Sequence, residues 1–155
     1  MTGLYFLVAA LLVAIDQITK HLTRTYLMGQ GIVTVIPGFL GLEYVENTGM
    51  AFSALSDSTA LLTVISFVLS VLLAVMIWKK WVFKEPFALW MVTLIFAGAV
   101  GNLIDRALFG YVTDMIKTLF MNFAVFNFAD CCVVVGGILL AVYAVFFWKE
   151  EEGKK

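Results

Sequence analysis

The sequence predicts a membrane all-α core of four transmembrane helices, with a small extracytoplasmic β-rich unit between helices 1 and 2. Three observations predict it. Of the 155 residues, 63% are hydrophobic and only 14% are charged. The mean hydropathy is +1.01, and a soluble domain of roughly half-apolar make-up could not hide that much apolar surface. Four stretches of near-membrane length carry no charge through their middles. Between the first and second, residues 25–58 abandon that pattern for glycines, β-branched residues and acids. A single integral membrane domain over 1–155 follows, with spans at about 3–20, 59–78, 87–104 and 131–148.

The first helix starts as a 13-residue uncharged run, Gly3 to Ile15. Extended to Lys20 it reaches about 18 residues, or roughly 27 Å at the rise of an α-helix. No basic segment precedes it, and Asp16 and Lys20 stand where a small-residue cleavage site would be expected. The stretch is therefore expected to be a retained helix. Asp16 and Lys20 are four apart, in the favourable order for a carboxylate and an ammonium on one helix face. They form an ordinary ion pair at the helix end, or one of them helps to shape a site.

Residues 25–58 hold glycines at 29, 31, 38, 41 and 49. Gly31 to Pro37 is rich in β-branched residues, and Phe39 to Val45 partly alternates. Two short strands joined through Pro37-Gly38 fit this pattern, over about 31–52. Leu40, Leu42 and Tyr44 would share one apolar face, placed on the membrane surface. Asn47 and Gly49 suit a turn that brings backbone close to another group. Thr59 to Trp78 is uncharged over 20 residues, and Phe87 to Ile104 and Cys131 to Trp148 over 18 each. Gly98, Gly101 and the Gly136-Gly137 pair allow close helix packing.

Charge placement sets the orientation. The 79–85 loop and the C-terminal tail together hold six basic residues, against four on the other side: Lys20, Arg24, Arg106 and Lys117. Both termini are then expected in the cytoplasm, and segments 21–58 and 105–130 outside. The net charge of −1, with no extended basic patch, argues against nucleic acid as a partner. Cys131 and Cys132 are adjacent, match no zinc spacing and suit no ordinary disulfide, so they read as small buried apolar residues. His21 has no second histidine with which to hold a metal and reads as an interfacial residue.

The chemistry concentrates between Gly101 and Asp130. Asn102, Asp105 and Arg106 crowd the end of the third helix. Asp114 follows a short connection, and Asn127 and Asp130 precede the fourth span. Ionisable groups are costly in so apolar a chain unless they face a protein interior or a wet cavity. Asp114 and Asp130 can both reach the outer end of an antiparallel bundle. Two carboxylates held close at low dielectric share one proton, which supplies an acid and a base near neutral pH. Proton relay, ion binding and plain interhelical hydrogen bonding are the other uses of such a pair. Asn102, Asp105 and Arg106 read first as structural anchors, with a lipid phosphate as another partner for Arg106. Asn127, three before Asp130, orients a carboxylate or simply caps the fourth helix.

Five motifs resemble the lipoprotein signal peptidase (signal peptidase II) family. They are Asp16-Gln-Ile-Thr-Lys20, Asn47-Thr-Gly-Met-Ala-Phe52, Gly101-Asn-Leu-Ile-Asp-Arg106, Gly110-Tyr-Val-Thr-Asp114 and Phe126-Asn-Phe-Ala-Asp130. Each is weak alone; the five in this order, among four spans, are specific. The resemblance implies that residues 31–52 form a β-cradle and that Asp114 and Asp130 are a catalytic aspartic dyad. Asp16, Lys20, Asn47, Gly49, Asn102, Asp105, Arg106 and Asn127 would bind substrate or support the site. It implies an endopeptidase that cuts before the diacylglyceryl-modified cysteine of a prolipoprotein, in a bacterial cytoplasmic membrane with the site toward the outer face. Membrane lipids are implied partners, globomycin an implied inhibitor, and no metal or organic cofactor is implied. The chain is expected to work as a monomer.

The competing reading is a non-enzymatic polytopic membrane protein, such as a proton-coupled carrier or a scaffold. A carrier usually places charged or broken-helix positions near mid-membrane. The second, third and fourth spans have no charge there.

Overall fold

The computed structural model describes residues 2–49, 59–82 and 84–147. Met50, Ala51 and Phe52 of the second motif, Trp148 and the C-terminal tail lie outside the described residues. The chain forms four helices, α1 (Thr2–Tyr26), α2 (Thr59–Lys79), α3 (Pro86–Phe109) and α4 (Phe128–Phe146), with the strands β1 (Val33–Ile36) and β2 (Leu40–Asn47) between α1 and α2 and β3 (Val112–Thr118) between α3 and α4. All four helices are long and apolar enough to cross a membrane.

The buried residues of α1 are Tyr5, Ala9, Asp16, Lys20 and Thr23. Their spacing of four, seven, four and three marks one helix face. Its N-terminal half is apolar: Tyr5 meets Trp90 edge-on at 4.6 Å, and Phe6 meets Phe96 at 5.9 Å. Its C-terminal half is ionic. The helix runs past Lys20 to Tyr26, which carries Arg24 into the same neighbourhood.

Helix α3 is the axis of the bundle, packing against α1, α2 and α4. It therefore buries residues on several sides, from Ala88 to Asp105. Tyr5, Ile77, Leu89 and Val92 form the core cluster where α1, α2 and α3 meet. Much of α2 and α4 is outward-facing apolar surface, as Leu61, Phe67, Leu72, Val134 and Ile138 illustrate, and this suits lipid contact.

Three glycines let the helices come close, two of them against the backbone of the facing helix and the third against a side chain. A Cβ on Gly98 would collide with the Ala129 carbonyl and Val133 of α4. One on Gly136 would lie 2.9 Å from the Met91 carbonyl oxygen, and one on Gly101 would lie 2.6 Å from Asp16 Oδ2. Gly137 has open space around its Cβ position, so only Gly136 of that pair serves the contact.

The sheet is antiparallel in the order β1-β2-β3. Its third strand is an addition to the sequence expectation of two strands. It comes from the segment between α3 and α4, and pairs Asn47 with Val112, Glu46 with Thr113 and Val45 with Asp114. Helix α3 passes to β3 through two residues, Gly110 and Tyr111. Gly110 takes φ 79°, a left-handed conformation suited to glycine, and its N–H closes the helix on the Arg106 carbonyl. After β3 the chain doubles back: Phe126 exchanges backbone hydrogen bonds with Ile116, at 2.7 and 3.1 Å. This return brings Asn127 alongside Asp114.

Leu40, Leu42 and Tyr44 are each half-buried, so the expected apolar surface strip is not theirs. The outward apolar side chains belong instead to β1 and the turns: Val33, Val35, Ile36, Phe39 and Phe120 are exposed. Phe39 and Phe120 stack at 5.0 Å.

Candidate active site

Asp130 is the third residue of α4, and its position follows from how that helix begins. Asn127 is the N-cap. Its side-chain oxygen accepts the Asp130 N–H at 2.9 Å, while Asp130 Oδ2 accepts the Asn127 N–H at 3.1 Å. This reciprocal pair is a capping box, and it satisfies two amides that a helix start leaves without partners. The remaining oxygen, Oδ1, accepts from Asn102 Nδ2 at 2.8 Å.

Asp114 sits in β3 with 1% exposure. Its Oδ2 accepts from Asn47 Nδ2 at 2.9 Å and its Oδ1 from Asn127 Nδ2 at 2.6 Å. Asn127 Nδ2 also donates to Asn102 Oδ1 at 3.1 Å. The two aspartates are thus joined through a pair of amides: Asp114 to Asn127, Asn127 to Asn102, and Asn102 to Asp130. Asn127 both caps α4 and orients a carboxylate, which joins the two roles that its sequence position left open.

Burial is the largest influence on the Asp114 carboxyl. Together with the charge of Asp130 it raises the pKa from 3.8 to about 6, against the hydrogen bonds from Asn47 and Asn127 and the Lys20 ammonium. Asp114 therefore changes charge close to neutral pH.

Behind the amides lies a buried ionic cluster. Lys20, with no exposure, is 2.9 Å from Asp16 Oδ2 and 3.8 Å from Asp105 Oδ2, and it donates to Asn102 Oδ1 at 2.8 Å. Asp16 Oδ1 accepts the Ala129 N–H at 3.0 Å, tying α1 to the first turn of α4. Gln17 bridges Asp16 to the Gly101 carbonyl, at 3.1 and 3.0 Å. A lone charge so deep would be strongly disfavoured, and the alternation of carboxylates and cations offsets that cost. Lys20 thereby fixes which way the Asn102 amide points: its oxygen faces the ammonium, so its NH2 faces Asp130.

Asn47, Gly49, Asn102, Arg106, Asp114 and Asp130 line one cavity of about 460 Å³. Val112, Phe123 to Phe126, Cys131 and Val133 to Val135 complete its mostly apolar wall. Arg106 donates to the Gly49 carbonyl at 3.3 Å, and Gly49 N–H closes a turn on Asn47 Oδ1 at 3.1 Å. Arg106 Nε and Asp105 Oδ1 are buried with no hydrogen-bond partner among the described residues. Asp16, Lys20 and Asp105 do not line the cavity; they stand behind those that do. Cys131 is half-buried on the cavity wall, whereas Cys132 is buried. Only Cys132 therefore fits the reading as a buried small residue. No three His, Cys, Asp or Glu side chains among the described residues come together as a metal site would need.

Three partners in this region were not singled out from the sequence: Gln17, Arg24 and Thr113. Arg24 had a legible signal, because Asp16, Lys20 and Arg24 recur every four residues on one helix face.

Four apolar helices with two carboxylates and an arginine on one cavity wall define a multi-pass membrane protein with an enzyme-like site. A protein-family model described as Signal peptidase (SPase) II matches residues 8–146. A lipoprotein signal peptidase of Enterococcus faecalis is 40% identical over 154 residues, covering 97% of this chain and 93% of that protein. One of Caldanaerobacter subterraneus is also 40% identical, over 139 residues covering 90% and 94%. A solved structure described as a bacterial membrane enzyme at 2.3 Å resolution superposes with a TM-score of 0.84 at 32% identity, covering 98% of this chain and 95% of that one. The chain belongs to the signal peptidase II family, and is a peptidase of the membrane.

Proposed function

We propose that this protein removes signal peptides from diacylglyceryl-modified prolipoproteins, cutting just before the lipidated cysteine, with Asp114 and Asp130 as an aspartic dyad. The observation that carries the reading is the opening of both carboxylates into one cavity while a chain of two asparagine amides ties them together. The names of the relatives support the substrate class.

A water molecule held between the carboxylates is the nucleophile. The ionised aspartate takes a proton from it as its oxygen attacks the scissile carbonyl, and the protonated aspartate donates to the carbonyl oxygen. The tetrahedral intermediate collapses when a proton passes to the departing amine. Carboxyl and amine products leave, and the dyad again holds one proton. A pKa of about 6 at Asp114 suits a group that must both give and take a proton near neutrality. The amides have a second task. They donate N–H to both carboxylates, so they orient the pair without themselves taking up a proton.

The apolar wall of Val133 to Val135 and Phe123 to Phe126 would face the acyl chains or the signal helix, and Arg106 a polar part of the substrate. Lysine and arginine placement supports a chain with both termini in the cytoplasm and the cavity toward the outer face. The decisive experiment incubates purified protein with a diacylglyceryl-peptide and with its unlipidated twin, then locates the cut by mass spectrometry. Cleavage before the lipidated cysteine alone is expected. Equal cleavage of both peptides, or of neither, would overturn the assignment.

A further inference from the structure

Thr113 is fully buried and is held at two atoms. Its backbone N–H donates to Asp105 Oδ2 at 2.9 Å, and its Oγ1 accepts from Arg24 Nη1 at 2.7 Å. Arg24 also reaches Asp105 Oδ2 at 3.5 Å, and its guanidinium lies over the Phe109 ring at 4.4 Å. Three elements therefore converge on one residue of β3: the outer end of α1, the last turns of α3, and the strand itself. The next residue is Asp114. Successive side chains of a strand point to opposite faces, so Thr113 grips the helices while Asp114 is presented to the cavity.

We propose that Arg24 is a positioning residue for the dyad: with Asp105 it clamps Thr113, and so sets the depth and rotation at which β3 delivers the Asp114 carboxylate to Asn47 and Asn127. Pairing with β2 fixes the register of the strand, and the backbone bond to Asp105 holds Thr113 to α3 as a pivot. The bond from Arg24 to the side chain removes the remaining freedom to rotate about it. The ring beneath the guanidinium restricts where Arg24 can go. The charges also balance, since Arg24 and Lys20 face Asp105 and Asp16 in one cluster. Neither Arg24 nor Thr113 lines the cavity. Loss of the clamp should therefore slow the chemical step and leave substrate binding nearly unchanged.

This inference rests on the dyad reading, and the test separates the two. Full-length protein in micelles is assayed with the diacylglyceryl-peptide. Wild-type turnover, lost in Asp114→Asn, secures the dyad; lack of wild-type turnover overturns both proposals. Thr113→Val keeps the volume and removes the hydroxyl. It should lower kcat about tenfold to a hundredfold, the scale of a displacement near 1 Å, with KM within about twofold. Arg24→Gln should do the same, and Thr113→Ser, which keeps the hydroxyl, should restore most of the rate. If Arg24→Gln does not fold, Thr113→Val and Thr113→Ser decide the matter. Wild-type kcat in Thr113→Val would overturn the proposal. A loss that Thr113→Ser fails to recover, or one that appears in KM, would do the same.

Discussion

Asn127 Nδ2 stands 2.6 Å from Asp114 Oδ1, while the oxygen of the same amide caps the helix that begins beside it. One side chain thus starts α4 and aims a carboxylate that lies 13 residues earlier in the chain. The two tasks use different atoms, so substitution can separate them.

Asn127→Ser keeps an N-cap oxygen, and serine is about as good a cap as asparagine. It lacks the NH2 that reaches Asp114 and Asn102. Thermal stability should fall only slightly, while cleavage of the lipidated peptide should fall by about tenfold or more. Asn127→Ala should lose the same activity and in addition about 1 kcal/mol of stability. Full turnover in the serine variant would leave Asn127 as a cap alone.

Asp114→Asn and Asp130→Asn should each reduce cleavage by about a thousandfold or more, the scale of lost acid–base catalysis. Both variants should still be recovered folded from the membrane. Product formation by mass spectrometry and elution as a sharp peak from size exclusion check the two halves of this expectation.

The pKa of Asp114 in the folded protein, about 6, lies above its ordinary 3.8. Its contribution to stability is thus fully present below pH 4 and is lost as pH rises through 6. Asp114→Asn does not ionise and escapes that loss. The stability of this variant relative to wild type should therefore improve from pH 4.5 to pH 8, by about 2 kcal/mol, the part of the shift's effect that falls above pH 4.5. Thermal melts in micelles across that range measure it. A difference that stays flat with pH would show that Asp114 does not titrate there.

Gly101→Ala would place a methyl group 2.6 Å from Asp16 Oδ2. The carboxylate cannot retreat without lengthening its contacts to Lys20 and Ala129 N–H. A loss of about 1–3 kcal/mol, typical of overpacking, is expected. Gly137→Ala, in open space on α4, should be tolerated and serves as the control. Comparison of the two melting temperatures checks the pair.

Uninterrupted apolarity made the helices legible, because a bilayer leaves few alternatives to a helix for a long uncharged run. The polar residues around Asp114 and Asp130 stood out for the converse reason. Strand β3 was harder to see. Val112-Thr-Asp-Met-Ile-Lys-Thr118 alternates only loosely, and it acquires a strand's hydrogen bonds only by pairing with β2, about 70 residues earlier. Thr113 carries no such signal, because its importance lies in its partners, Arg24 and Asp105, and no local pattern announces a partner. Neither could the sequence decide whether Asn127 capped a helix or oriented an acid, since that depends on where each end of one amide points.

The join between α3 and β3 carries a consequence of its own. Only Gly110 and Tyr111 separate them, and Thr113 N–H is bonded to Asp105, so Asn102 and Asp105 on the helix and Asp114 on the strand should move as parts of one lever. Bilayers thinner or thicker than a protein's apolar girth make its helices lean. Here such a lean would swing the Asp114 carboxylate and its braces together, and lipid thickness should regulate how a substrate reaches the cavity more than how the acids inside it face each other.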